Sequence, residues 1–401
     1  MNRSLSLFAF VVIASCDEPR QEVLLEEDLA LALAADTVFI VGESPVDSML
    51  TQVNSLGFDQ LGNLHLYDSE QARLTTWNSE GRFVREVGRR GEGPGEFRLP
   101  RHSYAFPDGR VMVLDIAVPG LWVFNPDGRY TGTVRLSTGG GRPVPGQQSV
   151  LAGDRLVGVD DYWMSRRQDR EDNKGVPLFT YAFVADSIES APYYTAWGPP
   201  PSQSGLTMLP RVRIAGFSDG RVAVADSVGY RIKVLSRDGE VANVVERAIK
   251  PFPLTEIAME AERERRRGGT SARQVRNAVK DIETLLGVSI PDVNPEKVNE
   301  EFLAGVENLS FASEVPVVRG IGVDWAGRMW ITRSDVTGAD GPIDLMEADG
   351  RYVGTLFNSQ RPDAFGPGGL VAYIIEHELG THAVVVARVT SITTSDRRES
   401  K

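Results

Sequence analysis

FDQLGNLHLYDSEQARLTTWNSEGRFVREVG, residues 58–88, decides how the chain is read. Short apolar runs alternate with turns: a run ending at Phe58, a glycine turn, LHLYD, a polar turn, LTTW, a Glu-Gly turn, then FVREV. The order returns in YAFPDGRVMVLDIAVPGLWVFNPDGRYTGTVRL (104–136) and in IAGFSDGRVAVADSVGYRIKVLSRDGEVANVVER (214–247). It returns again, with a longer middle, in GVDWAGRMWITRSDVTGADGPIDLMEADGRYVGTLF (322–357). Asp108-Gly109, Asp127-Gly128, Asp219-Gly220, Asp238-Gly239 and Asp349-Gly350 are hairpin signals, because glycine reaches positive φ without a steric penalty. Each unit therefore predicts a four-stranded antiparallel sheet. Such units recurring every ~40–50 residues read as propeller blades.

Two less regular units complete the series. One spans 149–190 and carries the polar loop WMSRRQDREDNKG; the other, FGPGGLVAYIIEHELGTHAVVVARV (365–389), lacks an outer strand. The missing strand is predicted from DLALALAADTVFIV (28–41), which would tie the first segment to the last and protect the sheet edges. The predicted fold is all-β: a six-bladed β-propeller over 28–390, closed by an N-terminal strand, with a helical insertion at 250–316 between blades 4 and 5. Residues 391–401 are predicted to form a polar tail.

Several motifs suggest chemistry that this repeat removes. YIIEHELGTH (373–382) carries His377 and His382 five residues apart, whereas a zinc-peptidase helix places its histidines four apart on one face. Aligned with the sister units, His377 and His382 fill the slots of Asp68 and Arg73, and of Asp226 and Arg231. The stretch therefore predicts a hairpin. GFSDG (216–220) matches the nucleophile elbow, yet its sister is AFPDG and its context is strand to strand. GRRGEGPGEF (88–97) has glycines but no Gly-Lys-Ser/Thr ending and no following helix, so it predicts a crossover with Phe97 packed between sheets. The acidic loop Asp169 to Gly175 lacks the glycine position of a calcium-binding loop.

The N-terminus MNRSLSLFAFVVIASCDEP has a positive Arg3, a mostly apolar run from Leu5 to Ile13, then Ile13-Ala14-Ser15-Cys16. The run is too short to span a bilayer, which takes ~20 residues, but suits a signal peptide. Its end resembles the lipobox of bacterial lipoproteins, which implies cleavage after residue 15, acylation of Cys16 and a linker over 16–27. Cys16 is the only cysteine among 401 residues, so no intramolecular disulfide is possible. The chain is thus expected to be exported and anchored in a bacterial membrane, facing the periplasm or the cell surface. Asp17 resembles the signal for retention in the inner membrane. A net charge of −12 argues against a nucleic-acid partner.

The Asp-Gly-Arg turns, LYDSEQARLTTWNSEGRF and above all GRRGEGPGEF are similar to bacterial six-bladed β-propeller lipoproteins of the NHL-repeat type. The resemblance covers about residues 28 to 390. It implies a propeller but no single activity, since relatives include gluconolactonase-like hydrolases, peptidyl amidating lyase and pure binding platforms. The enzymes hold a metal in the central channel with Glu, Asp, Asn or His. No such ligand set is matched here, so no catalytic residue, metal or cofactor is assigned; calcium or zinc belongs only to the hydrolase or lyase alternative.

Residues 250–316 break the repeat. LTEIAMEAERERRR and SARQVRNAVKDIETLLGV have helical composition, and Val275, Val279, Ile282, Leu285 and Leu286 form a stripe at helical spacing. PEKVNEEFLAGV predicts a further short helix. This insertion is expected to pack over one face and partly lid the channel. Loops between second and third strands should present Asp68, Arg73, Asp115, Asp226, Arg231, Arg333, His377 and His382 on one face, as a candidate binding rim. The leading expectation is a monomeric, membrane-tethered binding module for a protein, peptide or small ligand.

Overall fold

The computed structural model describes residues 27–43, 50–117, 120–135, 145–160, 175–184, 187–199, 203, 205–268, 275–276, 278–280, 283, 293–377 and 380–395. Cys16 and the rest of the predicted signal and linker up to residue 26 lie outside them, as do residues 169–174 and the stripe residues Ile282, Leu285 and Leu286.

The strands follow the predicted rhythm. After β1 (Ala30–Val41) comes a meander of β2 (Val53–Phe58), β3 (Leu64–Asp68), β4 (Arg73–Trp77) and β5 (Phe83–Val87). The next is β6 (Pro100–Ala105), β7 (Val111–Asp115), β8 (Gly120–Phe124) and β9 (Tyr130–Arg135). A third holds β10 (Pro145–Ala152), β11 (Arg155–Asp160), β12 (Val176–Val184) and β13 (Ser187–Ala196). The fourth is β14 (Arg213–Gly216), β15 (Val222–Ala225), β16 (Arg231–Leu235) and β17 (Val241–Glu246). Past the insertion, which begins with β18 (Phe252–Pro253) and ends with β19 (Glu314–Val315), come β20 (Val318–Val323), β21 (Met329–Ser334), β22 (Asp340–Met346) and β23 (Tyr352–Leu356). The last strands are β24 (Ala364–Phe365), β25 (Leu370–Glu376) and β26 (His382–Thr394).

β1 pairs antiparallel with β26 along most of its length, from Leu31 opposite Thr394 to Val41 opposite Val384. The N-terminal segment thus supplies the outer strand of the last sheet. Because β26 follows β1 to its end, residues 391–394 are strand rather than the start of a tail.

The sheets are not six separate blocks. Two meanders stand alone as four-stranded sheets, while the others merge in pairs into two eight-stranded sheets. The merging contacts are slight and parallel: Ser187 with Arg135, and Ala30 and Leu31 with Thr355 and Leu356. They arise where the long outer strands β13 and β1 reach the edge strand of the preceding meander. The arrangement is propeller-like and all-β.

Burial explains the packing. Every residue of β3, β7, β15 and β21 is buried, while β5 and β17 are mostly exposed. A strand buried on both faces is one held between neighbouring sheets. The apolar clusters confirm this, since each joins successive meanders. Phe97, Tyr67 and Leu74 pack with Val113 and Trp122; Ala223 and Ile232 pack with Ile331 and Met346; Leu64 and Trp77 pack with Leu370 and Val384. First strands neighbour one another in turn, β2 with β6, β6 with β10, β10 with β14, β14 with β20, and β24 with β2. The first strands therefore lie innermost.

The crossover 88–97 behaves as its sequence predicts. Phe97 is fully buried, edge-on to Trp122 and Phe124. Gly88 has φ 83°, and a Cβ there would come within 2.0 Å of the Phe97 ring, so only glycine fits. The Asp-Gly turns have glycine φ values from 82° to 91°. GFSDG spans β14 and β15 as a hairpin with Ser218 exposed, and His377 N–H donates to the Thr381 carbonyl in the β25–β26 turn.

In the insertion, β18 pairs with β19 and closes the base of the excursion. α1 (Glu256–Gly268) and α2 (Pro295–Glu307) follow the predicted helices, and the described residues between 275 and 283 are helical. Asn294 caps α2 by accepting from Lys297 N–H at 3.0 Å, with Pro295 in the first turn. Arg267 bonds Glu307 at 2.6 Å and ties the two helices.

Candidate functional site

In an antiparallel meander, turns between second and third strands emerge on the same face as the connections to the next meander. The Asp-Gly turns emerge on the other face, as tight hairpins. The eight residues of the predicted rim do sit at or beside the ends of second and third strands, but most are engaged within the chain.

Asp68, the last residue of β3, has no exposed surface and accepts from Thr51 N–H and Thr51 Oγ1 at 2.8 Å and from Gln52 and Gln71 N–H at 3.2 Å. Asp115 occupies the same place in β7 and accepts from Arg98 N–H at 2.7 Å, Leu99 at 3.1 Å and Ala117 at 3.0 Å. Asp226 accepts from Trp197 N–H at 2.7 Å and from Lys233 Nζ at 2.8 Å. His382 Nδ1 accepts from Val53 N–H at 2.9 Å, which leaves the proton of a neutral ring on Nε2. Asp68, Asp115 and His382 pin the backbone at the entry to a first strand, and Asp226 pins Trp197 just after β13. Arg73 and Arg231 instead reach across to fourth strands, to Glu86 at 3.2 Å and Glu246 at 3.1 Å.

Arg333 belongs to a buried ion network. It bonds Asp28 at 2.6 Å; Arg247 bonds both Asp28 at 2.9 Å and Asp344 at 2.7 Å, and stacks 4.1 Å from the Tyr352 ring. Burial pushes the Asp28 carboxyl up, but the bonds from Arg333 and then Arg247 outweigh it and hold the group below the usual range. Asp28 lies two residues before the start of the closing strand, so this network fastens the N-terminal segment. His377 is exposed on its turn.

The large cavity on that face is built by other residues. It measures about 570 Å³ and lies where β14 and β20, two innermost strands, meet the connection 197–213 and helix α1. Five arginines line it, Arg211, Arg213, Arg265, Arg266 and Arg319, against one carboxylate, Glu262. Glu262 bonds Arg265 and Arg266 at 3.0 Å, and Arg265 also donates to the Thr337 carbonyl at 3.1 Å. Arg319 is bonded to Asp340. Among the described residues Arg211 and Arg213 have no hydrogen-bond or ion-pair partner. Burial pushes the Arg213 guanidinium below its ordinary value, and the cations Arg211 and Arg319 push it the same way.

The wall is held in place by the insertion. Thr207 N–H donates to the Ser310 carbonyl at 2.7 Å, and Ala312 N–H returns to the Thr207 carbonyl at 2.9 Å. Next to it Met208 has φ 66°, a conformation that costs a side-chain-bearing residue of order 1–3 kcal/mol and persists only where its surroundings enforce it. Trp197 is 41% exposed and lines both this cavity and a neighbouring one of about 380 Å³. The smaller cavity takes in Asp226, Arg231 and Lys233, so it contains two residues of the predicted rim.

The sequence reading missed the arginines. The readable signal was PRVRI (210–214), where arginine alternates with apolar residues at the entry to an innermost strand; the sister run VNSLGF (53–58) carries no such charge pair. Among the described residues no three His, Asp, Glu or Cys side chains form a group that could hold a metal ion, and the cavity is lined by guanidinium groups.

Among solved structures the chain is similar to a member of the DUF4221 family from Bacteroides vulgatus, with a TM-score of 0.51 and 8% identity over 92% of this chain and 100% of that one. It is also similar to virginiamycin B lyase from Staphylococcus aureus (TM-score 0.39, 11% identity, 88% and 99% of the two chains). A gluconolactonase from Xanthomonas campestris gives a TM-score of 0.38 and 11% identity over 90% and 89%. The first likeness bears on the fold alone. No family model and no curated protein matches the chain.

Proposed function

We propose that the protein is an exported, membrane-tethered binding module whose ligand site is the cavity between α1 and the innermost strands. The observation that carries this reading is the pair Arg211 and Arg213, unpartnered among the described residues in a cavity of about 570 Å³. A cavity of that size is in the range of small-molecule sites, ~300–1,000 Å³. On this reading the four-stranded units are six blades of an NHL-repeat-type ring, and the insertion is its partial lid. The structural pins Asp68, Asp115 and His382 then shape the rim without touching ligand, while Asp226 and Arg231 border the smaller cavity.

The test is thermal-shift screening of the full chain against anionic and neutral small molecules, with mass spectrometry of each stabilising compound after incubation. A compound that raises Tm and is recovered unchanged supports a binding module. One that is recovered chemically converted makes the protein an enzyme. The tether is tested separately: palmitate labelling should be lost entirely in Cys16→Ser, and labelling that persists would place the anchor elsewhere.

A further inference from the structure

The chain is acidic overall, with a net charge of −12, yet five arginines and a single glutamate line the cavity of about 570 Å³. Three of those arginines are oriented by partners within the chain: Arg265 and Arg266 by Glu262, Arg319 by Asp340. The other two, Arg211 and Arg213, stand two residues apart and have no such partner among the described residues. A half-buried guanidinium among further cations is costly, because burial strips water from the charge and the nearby carboxylate, Asp340, is already bonded to Arg319. The arrangement becomes favourable when an anion enters.

The rest of the wall limits what that anion is. Trp197, Leu206, Met208, Leu209, Val315 and Val318 add apolar lining to the arginines. The volume is many times that of a bare phosphate. Guanidinium groups recognise carboxylate, phosphate and sulfonate oxygens through paired N–H donors, which gives geometry as well as charge. We infer that the cavity binds an organic anion with an apolar body, its acidic head between Arg211 and Arg213 and its body against Trp197 and Met208. This deepens the binding reading above and rests on it.

The experiment uses two probes of one shape, 2-naphthalenesulfonate and the neutral 2-naphthalenesulfonamide. Each is titrated by calorimetry into the full chain in detergent, with empty micelles as the blank. The sulfonate should bind at least tenfold more tightly than the sulfonamide, and only its affinity should fall as salt is raised. Arg213→Gln should weaken the sulfonate at least tenfold and leave the sulfonamide unchanged. Arg211→Gln, at an exposed position that does not govern folding, should weaken the sulfonate several-fold. Equal affinity for the two probes overturns the inference while leaving a binding module standing. So does wild-type sulfonate affinity in the double variant, or no binding of either probe. Conversion of a bound anion found in the thermal-shift screen would sink the non-catalytic reading and leave this one intact.

Discussion

Two sets of polar residues share one face of the propeller-like fold and do opposite things. Asp68, Asp115, Asp226 and His382 stand near the ends of second and third strands, and each accepts a backbone N–H from the connection between two meanders or from the first residue of a first strand. Arg211 and Arg213 stand where the repeat is broken, beside the insertion, and their side chains donate to nothing among the described residues. The difference teaches how to read a repeat. The aspartate that recurs at the end of the second strand in three units, Asp68, Asp115 and Asp226, does a job those units share, which is holding their backbone together. A site that binds one ligand needs asymmetry, and asymmetry is found where the repeat fails.

The sharpest way to break that comparison is to remove a pin from the most buried network. Asp344 has no exposed surface and bonds Arg247 and Thr355 at 2.7 Å. Asp344→Ala leaves Arg247 and Arg333 with Asp28 alone, in a place with little water. Breaking such a pair costs about 3–5 kcal/mol, and denaturant unfolding should show it. A loss under about 1 kcal/mol would mean that the closing strand β1 is not fastened by these charges.

Next in size is Asp68→Ala. Its carboxylate is the acceptor for three backbone N–H groups and the Thr51 hydroxyl. Bonds to a charged acceptor contribute about 1.5–3 kcal/mol, and the orphaned N–H groups add to the loss. The expected fall is about 2–4 kcal/mol by thermal or denaturant melting. Ligand binding at the arginine cavity should survive under conditions where the variant is folded. If binding failed while the fold held, Asp68 would belong to the site and the division between the two sets would be wrong.

A third effect depends on pH. His102 lies on β6, an innermost strand, and burial holds its imidazole at about 4 against an ordinary 6.5. The folded protein thus keeps the ring neutral where the unfolded chain takes up a proton. Stability linked to His102 is full above pH 6.5 and is lost as pH falls toward 4. The loss is at most about 3 kcal/mol, and smaller because the ring keeps some exposure. His102→Asn should flatten the acid limb of a stability-against-pH curve measured between those values. An unchanged slope would assign the limb to other groups.

The sequence made the meanders legible because their signals are local. Asp-Gly turns and alternating runs fix hairpins within about ten residues, and the opening unit 58–88 could be read almost strand by strand. The closing strand was legible too, through the missing outer strand of the unit at 365–389. What sequence did not reveal was which charges pair at long range. Arg333 looked like a rim residue because Asp28 lies 305 positions away. Arg211 and Arg213 looked unremarkable because the helix that walls their cavity comes from beyond residue 250. The merged sheets were hidden for the same reason, since strand length beyond the repeat decides whether β13 and β1 touch a neighbour.

The smallest effect discriminates best, because its sign reverses. Every pin variant should lower stability, since it removes the partner of a buried donor. Arg213→Gln removes a cation that burial and the neighbours Arg211 and Arg319 all disfavour. Its loss relieves repulsion and breaks no bond among the described residues. The variant should therefore melt at the same temperature as the wild type or slightly above it, by up to about 1 kcal/mol of added stability. A residue kept at a cost to stability is one kept for something it binds, as expected where activity and stability compete. Addition of 2-naphthalenesulfonate should reverse the order, raising the Tm of the wild type and leaving that of Arg213→Gln in place. If Arg213→Gln instead unfolds like Asp68→Ala, the arginine is itself a pin, and the contrast between the two sets dissolves.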